Sequence, residues 1–225
     1  MVGQEQKEES KDSEKSSDSE AKKEGEGNKE NSNSEDNEKF QMSSNTIIDN
    51  NKEINWKEIK NKVEVLYSSW STIAADLKTI GVTDEQINDF NKALDLLTVS
   101  VKAENKQATL ENILTLYSFL PKFENCNLKK EKRNILICKL NLLECYKNVD
   151  SEEWEQFNSS LTNLKMSYSN IMASKNDYKG IISNLENASV IINGMSNIIE
   201  IKDKDVFFIK YRDLMQEFYS GEKEQ

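Results

Sequence analysis

Histidine is missing from all 225 residues. Its absence removes the side chain that most often moves protons near neutral pH and most often ligates transition metals. A serine or cysteine nucleophile would lack its usual base, and the carboxylate-histidine sets of di-metal helical bundles cannot form. Cysteine is scarce as well: Cys126, Cys138 and Cys145 are odd in number and hold no Cys-x-x-Cys pair, so no zinc site is expected. Cys138 and Cys145 would stand about 10 Å apart along one helix, beyond the roughly 7 Å a disulfide spans. They read as buried thiols, and compartment is not legible from them. The seven glycines fall three in the first 27 residues and four singly further on, which excludes a phosphate-binding loop. No apolar run reaches the roughly eighteen residues of a membrane span, and the N-terminus as given has no basic-then-apolar leader.

Positive charge is also in deficit, with a net charge of −10. Residues 1–40 hold thirteen Asp and Glu against seven Lys, so most of the excess sits there. The only basic cluster, Lys129-Lys130-Glu131-Lys132-Arg133, is broken by an acid and reads as the solvated start of a helix. Nucleic acid is therefore not an expected partner.

Up to Lys39 the only apolar residues are Met1, Val2 and Ala21, too few to offset chain entropy. Residues 1–45 are expected to form a disordered acidic tether, 46–221 a helical domain, and 222–225 a disordered end. Scattered apolar residues at Phe40, Met42, Ile47, Ile48 and Ile54 form the boundary, where a short helix folding back on the bundle is one reading.

What is present is helical periodicity. Trp56, Ile59, Val63, Leu66, Trp70, Ile73, Leu77 and Ile80 make one stripe, followed by Gly81 at a C-cap and by Thr83 and Gln86 as a capping box. Ile87, Phe90, Leu94, Leu97 and Val101 carry a second helix, antiparallel to the first across so short a turn. A third starts near Gln107 and is expected to end or kink at Pro121, the only proline. A fourth, from about Leu128 to Lys147, is apolar on more than one face and reads as the most buried. The fifth starts with Asp150 or Ser151 as N-cap. The sixth runs from Tyr178 to Ile199, with Gly180 and Gly194 marking a bend or a close approach. The seventh runs from Lys204 to Tyr219 and closes at Gly221. Asp203-Lys204-Asp205 opens like a calcium loop, but Phe208 and Leu214 stand where glycine and glutamate are needed, so it reads as a helix N-cap.

Two of these helix starts resemble each other. Val82-Thr83-Asp84-Glu85 through Phe90-Asn91 aligns with Val149-Asp150-Ser151-Glu152 through Phe157-Asn158, and Leu94 and Leu97 meet Leu161 and Leu164. The following helices agree with a shift of one, Leu110, Ile113, Leu114 and Tyr117 against Tyr178, Ile181, Ile182 and Leu185. Read as a duplication, the chain is two three-helix units plus a closing helix. The fold class expected is thus all-α, an antiparallel bundle of about seven helices after the acidic tail.

Candidate sites are few. Glu152, Glu153 and Glu155 would share the first turn of a helix, where negative charge suits the macrodipole, so they read as structural. Trp56, Tyr67, Trp70, Tyr117, Trp154 and Tyr168 would line a pocket between helices or simply fill the core. Tyr67 lies just off its stripe and is the first to inspect. No catalytic, cofactor-binding or metal-binding residue is assigned, and no enzyme or cofactor is expected.

The acidic Ser/Lys/Glu/Asn tail, the richness in Lys, Asn and Ile, and the helical body together resemble the mature part of surface lipoproteins of low-GC Gram-positive bacteria. In that class a lipid-modified cysteine precedes the tail, where this chain has Met1-Val2-Gly3. The resemblance implies an extracytoplasmic, lipid-anchored, non-enzymatic domain that binds a protein partner or envelope component. The alternatives are a solute-binding lipoprotein with a pocket between helices, and a cytoplasmic helical adaptor.

Overall fold

The computed structural model describes residues 53–124, 130–178 and 180–223. The expected tether, Phe40, Met42, Ile47, Ile48, Cys126 and the last two residues lie outside them. Among the described residues the fold is all-helical. It comprises α1 (Trp56–Thr79), α2 (Asp84–Lys102), α3 (Lys106–Tyr117), α4 (Leu120–Glu124), α5 (Lys130–Asp150), α6 (Trp154–Ala173), α7 (Ile182–Gly194), α8 (Ile198–Ile201) and α9 (Lys204–Lys223).

Local chemistry sets the helix starts. The Asn55 side chain accepts from the Glu58 amide, and Asn105 does the same for Ala108 at the head of α3. Thr83 and Gln86 form the expected reciprocal box, and the amide of Val206 donates to Asp203 at 2.9 Å, so that acidic stretch is a cap. Gly81, at φ 97°, supplies the left-handed turn between α1 and α2.

Four expectations need correction. Pro121 does not end the third helix: α3 closes at Tyr117, and Pro121 lies in the first turn of α4, where its missing donor is not needed. Neither Asp150 nor Ser151 caps the fifth helix. Asp150 still belongs to α5 and pairs with Lys106 at 2.5 Å, Ser151 donates to Gln107, and the chain turns at Glu152 (φ 59°), leaving Glu153 as an N-cap without a side-chain bond. The sixth helix is not continuous, since Tyr178 ends a 3-10 turn, α7 starts at Ile182, and Met195–Asn197 form a second 3-10 turn before α8. Gly221 is inside α9 and does not terminate it. At Gly194 the expected close approach is present, because an added Cβ would meet Lys210 Nζ at 2.7 Å.

Two cores form. Residues from Val63 to Phe123 build the first, and residues from Ile135 to Phe218 the second. The second is an up-and-down four-helix arrangement. Asn148 to Ser160 and Asn141 to Ser167 set α5 against α6. Lys165 to Ser196 and Tyr168 to the Leu185 carbonyl join α6 to the α7 segment, and Lys210 to the Gly194 carbonyl joins that segment to α9. Lys204 to the Asp150 carbonyl, with Lys139 over the Tyr219 ring, closes α9 onto α5. Asn184 also donates to Glu217 of α9, and each pairing is antiparallel, as one partner number rises while the other falls. α5 also packs on α3 and α4, which explains why it is apolar on more than one face.

The aligned apolar residues of the two similar stretches all face a core, but the surrounding bonds differ. Ser100 accepts from Asn112 of the following helix, whereas Ser167 accepts from Asn141 of the preceding one. Tyr178 and Ile181, aligned with residues of α3, lie before α7 begins.

The helix-to-helix connection at Lys202 adopts φ 53°, a left-handed conformation that costs a branched residue about 1–2 kcal/mol. Lys202→Gly should raise the urea midpoint, by roughly 1 kcal/mol of stability, and Lys202→Val should lower it. Leu142→Ala, at a fully buried position, should cost about 2–5 kcal/mol in the same assay. Val190→Ala, at a position 74% exposed, should stay within about 0.5 kcal/mol.

Candidate functional site

The first core is built around α2. Ile87, Phe90, Leu94, Leu97 and Val101 are all buried, so its stripe is fully covered. α1 holds one side of it, with Trp70 Nε1 donating to Asn91 and Tyr67 to Asp95, while Asn112 of α3 donates to Ser100 and to the Leu96 carbonyl. Trp70 stacks on Phe90 with ring centroids 3.9 Å apart, and Phe119 and Phe123 extend this floor. Such contacts contribute about 0.5–1.5 kcal/mol each beyond area burial.

The stripe of α1 fares differently. Only Val63 and Trp70 are buried; Trp56, Ile59, Leu66, Leu77 and Ile80 are half-buried and Ile73 is 40% exposed. Among the described helices α1 packs mainly on α2, and Trp70 also stacks on Phe123 of α4 with ring centroids 6.4 Å apart. Between α1 and α3 an apolar cleft of about 290 Å³ remains, lined by Leu66, Phe90, Leu97, Ile113, Leu116, Tyr117 and Leu120. A smaller one, about 240 Å³, lies among Lys60, Val63, Glu64, Thr98, Val101 and Lys102. Tyr117 is the only lining side chain of the larger cleft with a polar atom, so it does not offer the convergent polar groups of a small-molecule or catalytic site. Its shape and chemistry suit the apolar face of a helix.

Of the aromatics singled out, Trp70 and Tyr168 are core, Trp56 and Trp154 are half-buried, and Tyr117 alone lines the cleft. Tyr67 is outside it; its hydroxyl clasps Asp95 on the α1–α2 seam, and burial followed by that carboxylate holds its phenol above the usual range. Glu152 pairs with Lys204 at 2.9 Å, and Glu153 is not in the first turn of α6 but at its N-cap. Glu155 is the one acid left in that first turn. Among the described residues no group of three or more acidic or cysteine side chains converges as a metal site, and no helix is long and apolar enough to cross a membrane. The cleft itself escaped the sequence reading, which marks apolar faces but not how far each is covered.

Cys138 and Cys145 are fully buried free thiols in α5. Burial pushes both up to about 12, where a thiol is neutral and unreactive at physiological pH. No family model, curated protein or solved structure matches the chain.

The raised thiols carry a pH signature. Between an unfolded value of about 8.5 and the folded one, the native state binds more protons than the unfolded state, so stability is full below about pH 8.5 and falls above it. In a Cys126→Ser background, urea unfolding under reducing conditions should lose about 1.4 kcal/mol per buried thiol between pH 7.5 and 9.5. Replacing both thiols by alanine should remove that part of the slope. A thiol reagent should count no reactive cysteine at pH 7.5 until denaturant is added.

Proposed function

We infer that this chain is a non-enzymatic binding domain that grips an amphipathic helix of a protein partner in the cleft between α1 and α3. It is held at the outer face of a membrane by lipid at the head of its acidic tether. The observation that carries the binding half is the half-covered stripe of α1 beside an apolar cleft without convergent polar groups. A solute-binding pocket would need directed hydrogen-bonding groups that this lining does not offer. The absence of histidine and the burial of Cys138 and Cys145 favour binding over catalysis. The anchoring half rests on the acidic tail and the class resemblance alone.

Each half has its own test. Benzoylphenylalanine in place of Ile113, irradiated in native envelope membranes, should give a discrete cross-linked adduct that Leu66→Glu abolishes. The same group at Val190 should give none. Adducts from both positions, or from neither, would contradict the binding site. For the anchor, the protein isolated from its native source should carry the extra mass of a diacylglyceryl group and partition into detergent. An unmodified protein in the aqueous phase would contradict it and favour a cytoplasmic adaptor.

A further inference from the structure

The two cores differ in how they are closed. In the second, α9 lies across α5 and α7 and buries Phe207, Leu214, Met215 and Phe218 there, completing four long helices. The first has three long helices and only the five-residue α4 beside them, and its open side is the α1–α3 cleft. Among the described residues α5 packs on α3 and α4 from one side, and no element lies over the cleft.

The chain itself carries a segment of the right kind at the right place. Residues 1–39 hold only three apolar side chains, but the next thirteen, Phe40 to Lys52, hold Phe40, Met42, Ile47 and Ile48. They carry one acid and one base, Asp49 and Lys52, so entering an apolar cleft strands no excess charge. Three residues, Glu53 to Asn55, join the segment to α1. Leu66 lies ten residues into that helix, about 15 Å from its start. Thirteen residues span about 20 Å as a helix and about 43 Å extended, so the segment reaches the cleft in either conformation. Tethering so close sets an effective concentration in the millimolar range, which makes a weak apolar contact sufficient.

We propose that the stretch Phe40–Ile48 is the resident occupant of the α1–α3 cleft, and that a partner helix must displace it. This rests on the reading of the cleft as a helix-binding groove and adds its regulation. Occupation lowers the apparent affinity for any other ligand by the fraction of molecules in which the cleft is free.

The test uses the full chain and the dye 1-anilinonaphthalene-8-sulfonate as the probe. Phe40→Ser, Ile47→Ser and Ile48→Ser combined should tighten dye binding about fivefold, the factor expected when the cleft is free in roughly a fifth of native molecules. Equal, strong binding by both proteins would overturn resident occupation and leave the groove standing. Weak binding by both would overturn the groove and its occupant together. A nitroxide on Ser44→Cys in a Cys126→Ser background gives the direct readout. It should broaden the methyl signals of Leu66, Leu97 and Ile113 and spare Val190, whereas no selective broadening would overturn the proposal.

Discussion

The covering of apolar helix stripes is the constraint on which this structure depends. An amphipathic helix is stable in a protein chiefly through what lies against its apolar face, at about 25 cal/mol for each Å² removed from water. α5 meets that requirement along its central face, packed by α3, α4, α6 and α9, with Ile135, Cys138, Leu142, Cys145 and Val149 at zero exposure. α1 does not meet it, since a stripe eight residues long leans mainly on α2, with Trp70 reaching the Phe123 ring of α4.

Where apolar matter is well covered, polar groups set the register. Asn148 with Ser160, Asn141 with Ser167, and Asn134 with Tyr178 are hydrogen-bonded across buried or half-buried seams, where an unpaired group would cost about 1–3 kcal/mol. A slide of one helix turn would break these pairs together. Lys139, 1% exposed, places its ammonium 3.6 Å from the centre of the Tyr219 ring, tying the middle of α5 to the end of α9. At the other end Lys204 binds both the Asp150 carbonyl and Glu152, while Lys106 holds the Asp150 carboxylate, so the end of α5 fastens α3 and α9 at one point.

Much of this was legible in the residues. The periodic stripes placed α1, α2, α5, α6 and α9, and the Thr83–Gln86 box and the Asp203 cap held because their partners are three residues away. The cap at Asp150 or Ser151 failed because those side chains are taken by Lys106 and Gln107, forty-four positions earlier, beyond the reach of local pattern. Nothing marked Lys139 as buried except its place within an apolar run on the central helix. Periodicity told which side of α1 was apolar but not how little of it its neighbours would cover. The candidate site was therefore the least legible part: it is a shortage of packing, and no motif encodes it.

Native-state hydrogen exchange of the full chain, resolved by residue, tests the central claim most directly. If coverage governs local stability, amides in the middle of α1, around Val63 to Trp70, should open at a free energy well below that of α5, around Cys138 to Cys145. Exchange of α1 and α5 at one common global free energy would contradict the account, since α1 would then be as fully packed as the centre of the fold.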